Sequence, residues 1–436
     1  MHSTRPLPTA KPPPTNPASP TPRPDRGSAE GLLALGRLAP VADNCHVAKE
    51  TGLTGKRLDP RILFVSTYPP TRCGLATFTR SLVDALTIIR GGPDATGVIR
   101  MLPAGDESVC LEPEVVAEVF PFESIDQVVV PWSGYDLLWI QHEYGIFGPE
   151  DGQAVMGLID RSPIPIAVTL HTVPARPSTQ QRDILEGLAA RCEGVVVMSR
   201  SAQKRLTSRY HLDGGKVRVI PHGASVVRTR PRLRLPGERP TIVSWGLVGP
   251  GKGIEWSIRA MSKLRQLEPQ PRLIVRGVTH PNVKRDEGEA YRLHLEMLIH
   301  DLGLAGIVEM KDGYMSAAEL QSFMLGGDIA LLPYDNEEQV TSGVLIEAIA
   351  AGLPVVATAF PHAVELLAGG AGTVVPNRDP DAIARALKRY LTDRRALEAA
   401  SVSACRAGEQ LSWVRVAAAY DRLAGRVLVG QASGVA

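Results

Sequence analysis

Residues 334–358 read YDNEEQVTSGVLIEAIAAGLPVVAT, and the reading of this stretch decides the fold. A polar loop runs into Thr341, Ser342 and Gly343. The apolar run GVLIEAIAA follows, stops at Gly352 and passes through Pro354 into a buried strand over 354–358. Serine or threonine ahead of a helix is a good N-cap, and a glycine beside it opens the backbone to close approach. The unpaired N–H groups of such a terminus, with their partial positive charge, form an anion site. Glu347 lies about 6–7 Å further along, at 1.5 Å per residue. A carboxylate there would repel phosphate, but it accepts hydrogen bonds from hydroxyls such as those of a ribose. Anion at the helix mouth and diol one turn up describe a nucleoside diphosphate. The same string also suits an ordinary αβ unit.

The rest of the chain repeats that alternation of strand and helix. RILFVST, DLLWIQ (136–141), IPIAVTL (164–170), GVVVMS (194–199) and VRVIP (217–221) read as strands of the buried, parallel kind. Residues 225–240, rich in Arg and Pro, lose the apolar pattern and read as a linker. PTIVSWG, RLIVRG, GIVEMKD, DIALLP and PVVAT then restart it. Each half opens with strand, Gly turn and helix, which implies an α/β protein of two Rossmann-like, doubly wound domains facing across a cleft. The expected boundaries are a Pro-rich, disordered tail and lead-in over 1–58, in which 31–41 could pack on the first domain, then a first domain over 59–224. The linker and a second domain over 241–410 follow. A last helix over 411–430 closes the chain.

The stretch over 334–358 resembles the donor motif of the family-4 retaining glycosyltransferases (glycosyl transferases group 1), E-x7-E followed by A-x-A-x-G-x-P-V-V-A-T. Glu347 matches the second glutamate, and Ala348, Ala350, Gly352 and 354–358 match the tail. Gln339 stands at the first position, unless Glu338 fills it by a one-residue slip. The resemblance covers about 60–430 and implies the GT-B fold, with the last helix crossing back to the first domain. It also implies a donor site in the second half, and an acceptor side on first-domain loops over about 100–130 and 172–185.

Other segments carry matching motifs. YPPTRCGLATF resembles the first-domain Gly-rich loop, with Gly74 as the residue of close approach. Cys73 before it has no base or acid placed to activate it, so a packed small residue is expected there. IQHEYGIFG ends a strand, and the resemblance gives His142 a contact to the donor sugar; His171, which ends a strand in TLHTV, falls on the acceptor side. Gly246 to Lys252 fits the G-x4-G-K phosphate-loop pattern, but Gly253 stands where a metal-holding Ser or Thr is needed. The resemblance instead makes Lys252 the donor-phosphate lysine. Leu247 stands where arginine is usual, and Arg276 is expected to replace it. Tyr314 and Met315 match the segment that packs against and reads the base, and Ser342, Gly343 and Val344 supply the N–H groups.

At 436 residues and net charge +2, the chain has no basic block with interleaved aromatics, which excludes a dedicated nucleic-acid surface. Cys45, Cys73, Cys110, Cys192 and Cys405 show no metal-ligand spacing and suit a reduced cytoplasm. No signal peptide or apolar run of membrane-spanning length is found. The expectation is a cytoplasmic protein with at most peripheral membrane contact. Its expected substrates are a GDP-, UDP- or ADP-linked sugar, with mannosyl or glucosyl favoured, and a hydroxyl on a glycan, lipid or small molecule. The product would belong to polysaccharide or glycoconjugate synthesis. No D-x-D metal motif is present, so metal independence and no cofactor are expected. A sugar-nucleotide epimerase or inverting transferase on the same scaffold, a non-catalytic nucleotide-sugar sensor, and more distantly a phosphate-loop NTPase remain as alternatives.

Overall fold

Ile62, Leu63, Phe64 and Val65 are all 0% exposed, because their strand lies mid-sheet with helices over both faces. A computed structural model describes residues 60–432 other than 103–105, 107–109, 111, 120–128, 228–236 and 336–338. The expected tail and lead-in, most of the expected linker, and Glu338 therefore lie outside the described residues.

The first sheet holds β1 (Ile62–Ser66), β2 (Thr96–Met101), β3 (Val115–Val119), β4 (Leu137–His142), β5 (Ile166–Leu170), β6 (Gly194–Val197) and β7 (Val217–Val219), paired in the order β3-β2-β1-β4-β5-β6-β7. The second holds β8 (Thr241–Trp245), β9 (Arg272–Arg276), β10 (Val308–Lys311), β11 (Ile329–Leu332), β12 (Val355–Thr358) and β13 (Gly372–Val375), in the order β10-β9-β8-β11-β12-β13. Every strand pairing within these sheets is parallel. The order reverses at β1/β4 and at β8/β11. Those reversals splay the helices apart and open a crevice at the carboxyl ends of the strands.

β2, β3 and β13 were not among the strands expected from sequence, and β2 and β3 occupy part of a stretch read as acceptor loops. Their pattern is broken by Arg100 and Glu118, which a strand of this kind does not normally bury. Arg100 is 0% exposed because it is paired: Nη1 donates to Glu118 Oε1 at 2.5 Å, Nη2 to Thr71 Oγ1 at 2.9 Å, and Nε to the Tyr68 carbonyl at 3.2 Å.

The helix Trp413–Ala432 returns to the first domain. Tyr420 lies 4.8 Å from the Trp139 ring, and Asp421 accepts from Arg90 Nε at 2.8 Å. A backbone bond from Ala224 to the Leu411 carbonyl, 2.8 Å, fastens its entry. The two domains also touch directly. Val340, from the loop before helix Gly343–Ala350, packs in the first-domain core, and its carbonyl accepts from Ser199 Oγ at 2.7 Å. Glu365 accepts from the backbone N–H of Arg200 and of Ser201, each at 2.9 Å, and so caps the helix Arg200–Arg209 from across the cleft.

Candidate nucleotide-sugar site

The β8/β11 reversal brings two turns together. Gly246, at φ +111, follows β8 and approaches Val344, whose Cγ2 would lie 3.3 Å from an added Cβ. Gly277, after β9, backs onto the Gly246 carbonyl so closely that a Cβ would stand 1.9 Å from it. The turn ends at Lys252 and Gly253. Gly253 has φ +62 and would set a Cβ 2.0 Å from the Pro333 carbonyl, so the contact that rejects a phosphate-loop serine is main chain on main chain. Asp335 closes the arrangement: its N–H donates to the Gly251 carbonyl at 2.9 Å, and Oδ2 accepts from Trp256 Nε1 at 3.0 Å.

Tyr334, two residues past β11, joins the groups on which the site depends. Lys252 Nζ lies 4.4 Å from its ring centroid, a cation–π contact. Ser342 and the charge of Glu347 also act on its phenol. Ser342 is 2% exposed and caps helix Gly343–Ala350, its Oγ accepting from Leu345 N–H at 3.2 Å. Its own N–H donates to His362 Nδ1 at 2.9 Å. The N–H groups of Gly343 and Val344 are then the orphan donors at the mouth of the helix. Glu347 Oε2 accepts from Trp245 Nε1 at 2.8 Å. Lys252 and Glu347 thus both lie beside Tyr334, and the Trp245 that holds Glu347 lines the same cavity as Lys252. Burial lowers the Lys252 ammonium and raises the Glu347 carboxyl from their usual ranges.

The other expected residues fall around this centre unevenly. Gln339 donates from Nε2 to the Thr341 carbonyl at 3.1 Å, within its own loop. Tyr314 is 47% exposed; Met315 packs partly into the second-domain core, just before Ser316 caps the helix Ala317–Leu325. Arg276 does not stand in for the arginine missing at Leu247. It pairs with Glu319 at 3.4 Å, in a cavity of about 270 Å³ with Arg272 and Phe323, apart from the cavity lined by Lys252. The alternating pleat explains this, since Val275, one residue earlier, is the one that faces the lysine side.

In the first domain, Gly74 opens helix Gly74–Arg90 with open space where a Cβ would stand. Cys73 is a helix cap, not merely a packed small residue: Sγ accepts from Ala76 N–H at 3.4 Å. His142 does not open to the cleft. It is 0% exposed, stacked 6.0 Å from Phe147 and edge-on 5.0 Å from Tyr144, with neither ring nitrogen bonded. Burial pulls its pKa down to about 3. As the last residue of β4 it takes the pleat direction of Leu138 and Ile140, into the core. His171 donates from Nε2 to Gln141 Oε1 at 2.8 Å and meets Phe78 edge-on. Sequence reasoning missed Trp245, Tyr334 and His222, at or just past strand ends, and His362, in the helix Pro361–Leu367, where only the strand-end positions gave a signal.

Among the described residues, no group of His, Cys, Asp and Glu is clustered to hold a metal ion, and no helix is long and apolar enough to cross a membrane.

Comparison with known proteins places this geometry. The model "Glycosyl transferases group 1" matches residues 227–404, and "Glycosyltransferase Family 4" matches 124–228. The chain is 30% identical over 237 residues to a GDP-mannose-dependent alpha-(1-6)-phosphatidylinositol monomannoside mannosyltransferase of Mycolicibacterium smegmatis, covering 51% of this chain and 59% of that one. It is 27% identical over 291 residues to a D-inositol 3-phosphate glycosyltransferase of Kineococcus radiotolerans, covering 60% and 66%. The matched stretch thus spans under two thirds of either relative. Among solved structures, HepE of Anabaena, in complex with UDP and glucose, superposes with TM-score 0.64 at 18% identity, over 83% of this chain and 98% of that one. A sucrose-phosphate synthase of Thermosynechococcus elongatus gives 0.66 at 18%, over 85% and 99%. The two facing sheets are a GT-B fold, and the chain belongs to the group 1, family 4 glycosyltransferases.

Proposed function

We propose that the protein is a retaining hexosyltransferase that moves a mannosyl or glucosyl group from a nucleoside-diphosphate sugar to a hydroxyl acceptor. The observation that carries this reading is the convergence of Lys252, the Ser342-capped helix and Glu347 around Tyr334, at a topological switch point. Departure of the nucleoside diphosphate builds negative charge on its β-phosphate. Lys252 and the N–H groups of Gly343 and Val344 lie where fixed dipoles would stabilise that charge without reorganising. Glu347, already oriented by Trp245, keeps Oε1 for the ribose diol. Gln339 or Glu338 would hold a hydroxyl of the sugar, and Tyr314 and Met315 would face the base. With the diphosphate neutralised by the chain itself, the acceptor hydroxyl attacks from the face the leaving group vacates, its proton passing to the departing phosphate. No resident metal is needed in this scheme.

The mannosyl preference draws on the GDP-mannose-dependent relative, and an inositol-type or other polyol acceptor on the names of both relatives. Incubation with GDP-mannose, UDP-glucose and ADP-glucose, with and without inositol phosphates, tests the reading. Release of nucleoside diphosphate with an α-linked product by NMR, lost in Lys252→Ala, is the expected result. A β-linked product would overturn retention. No turnover of any donor, with binding unaffected by Lys252→Ala, would overturn the site.

A further inference from the structure

The donor site just described offers one lysine and one helix terminus to two phosphates. Leu247, on the neighbouring turn, is apolar and 36% exposed, and Arg276 is turned toward Glu319. A different residue reaches the helix mouth. His222 follows β7 in the first domain, yet its Nε2 lies 3.5 Å from where a Cβ on Gly343 would stand. Nδ1 donates to the Gly223 carbonyl at 2.6 Å, which fixes the tautomer and leaves Nε2 bare. The ring is held edge-on against Phe78 at 4.9 Å and tilted against Trp413 at 5.6 Å. Residue 223 must be glycine for this to fit, since a Cβ there would meet Trp413 Cε3 at 2.2 Å. Helix Gly74–Arg90 and the returning helix thus clamp an imidazole whose free nitrogen is aimed across the cleft at the donor helix.

We infer that His222, protonated on Nε2, is the second cationic ligand of the donor diphosphate, so that nucleotide binding draws one proton from solvent. The inference rests on the nucleotide-sugar reading and adds a first-domain residue to the phosphate site. A neutral ring presents Nε2 only as an acceptor, which repels a phosphoryl oxygen. The protonated ring donates to the same oxygens as the Gly343 N–H, a charge-assisted bond. In the chain alone burial lowers the His222 pKa to about 4, so the ring is neutral at pH 7 and the ligand must supply the charge that protonates it. The titratable groups acting on it are His171, from the end of β5, and His362, from helix Pro361–Leu367; burial lowers these to about 3 and about 4, so both are neutral as well. Its other neighbours, Phe78, Trp413, Gly223 and Gly343, carry no charge.

The test uses the full chain with GDP-mannose and UDP-glucose, whose phosphates hold no proton near neutral pH. Calorimetry at pH 7 in two buffers of different ionisation heat counts the protons taken up, and affinity is followed from pH 6 to 8.5. Proton uptake, with affinity falling as pH rises, is expected. His222→Gln keeps an amide N–H toward the site but cannot titrate. It should bind about tenfold more weakly, with the uptake lost and the pH profile flattened. Lys252 is the other group that binding could protonate, and this variant separates the two. Binding without uptake, or uptake unchanged in His222→Gln, would overturn the inference while leaving the donor site intact. If neither nucleotide sugar bound, the donor site and the inference would fall together. Should His222→Gln not fold, the proton count on the unaltered chain still decides.

Discussion

The Lys252 ammonium stands 4.4 Å from the centroid of the Tyr334 ring, so the turn after β11 fixes where the charge after β8 is held. Tyr334→Phe retains that ring face and should leave the donor KM within about threefold, since a cation–π contact survives the loss of the hydroxyl. Tyr334→Leu removes it and should raise the donor KM about tenfold. Steady-state kinetics on both variants checks this. Equal KM values would mean the aromatic face does not position the lysine.

Gly253 separates this turn from a phosphate loop. Gly253→Ser would supply the hydroxyl such loops use, yet its Cβ collides with the Pro333 carbonyl in a left-handed backbone. The expected outcome is a loss of about 2 kcal/mol or more in stability, with no magnesium-dependent NTP hydrolysis gained. Denaturant unfolding and a phosphate-release assay read the two effects.

Glu365 ties the second domain to the N-terminus of a first-domain helix through Arg200 and Ser201. Glu365→Ala should cost about 1–3 kcal/mol of the closed arrangement, because two N–H groups lose a charged acceptor. Small-angle scattering should show a larger radius of gyration for the variant without nucleotide, converging with the parent when donor is added.

Four histidines bear on acid stability, His142 and His362 buried and His171 and His222 half-buried. His142 and His171 are lowered to about 3, and His222 and His362 to about 4, all chiefly by burial. Each stays neutral in the folded chain while its unfolded counterpart takes a proton below about pH 6.5. Their stabilising effect is therefore complete above that pH and is lost as pH falls toward 3–4, at up to about 1.4 kcal/mol per unit for each group. Urea unfolding from pH 7.5 to 4.5 should show this slope. His142→Leu should reduce it by one proton, and should not destabilise at pH 7, since neither ring nitrogen has a partner to lose.

Most of the parallel strands and both Gly turns were legible because period and composition are local signals. What the sequence withheld was non-local. Arg100 hid β2, since a charged residue reads as loop until Glu118 and Thr71 are known to surround it. Trp245 and Glu347 meet only after the β8/β11 reversal is made, so motif spacing marked the glutamate and missed the indole that orients it. His142 shows the opposite failure: a motif position suggested a side chain open to ligand, and the pleat turned it inward. Arg276 was likewise assigned from its place at a strand end, one pleat step out of place.

Val340 is a plug from one half seated in the interior of the other. Substitutions that swell or shrink the first domain's interior will therefore be felt at the loop that carries Gln339. Sugar preference in this lineage would then be partly inherited from residues far from any ligand, and a chimera that grafted a relative's second half onto this first half would bring a stopper cut for another socket.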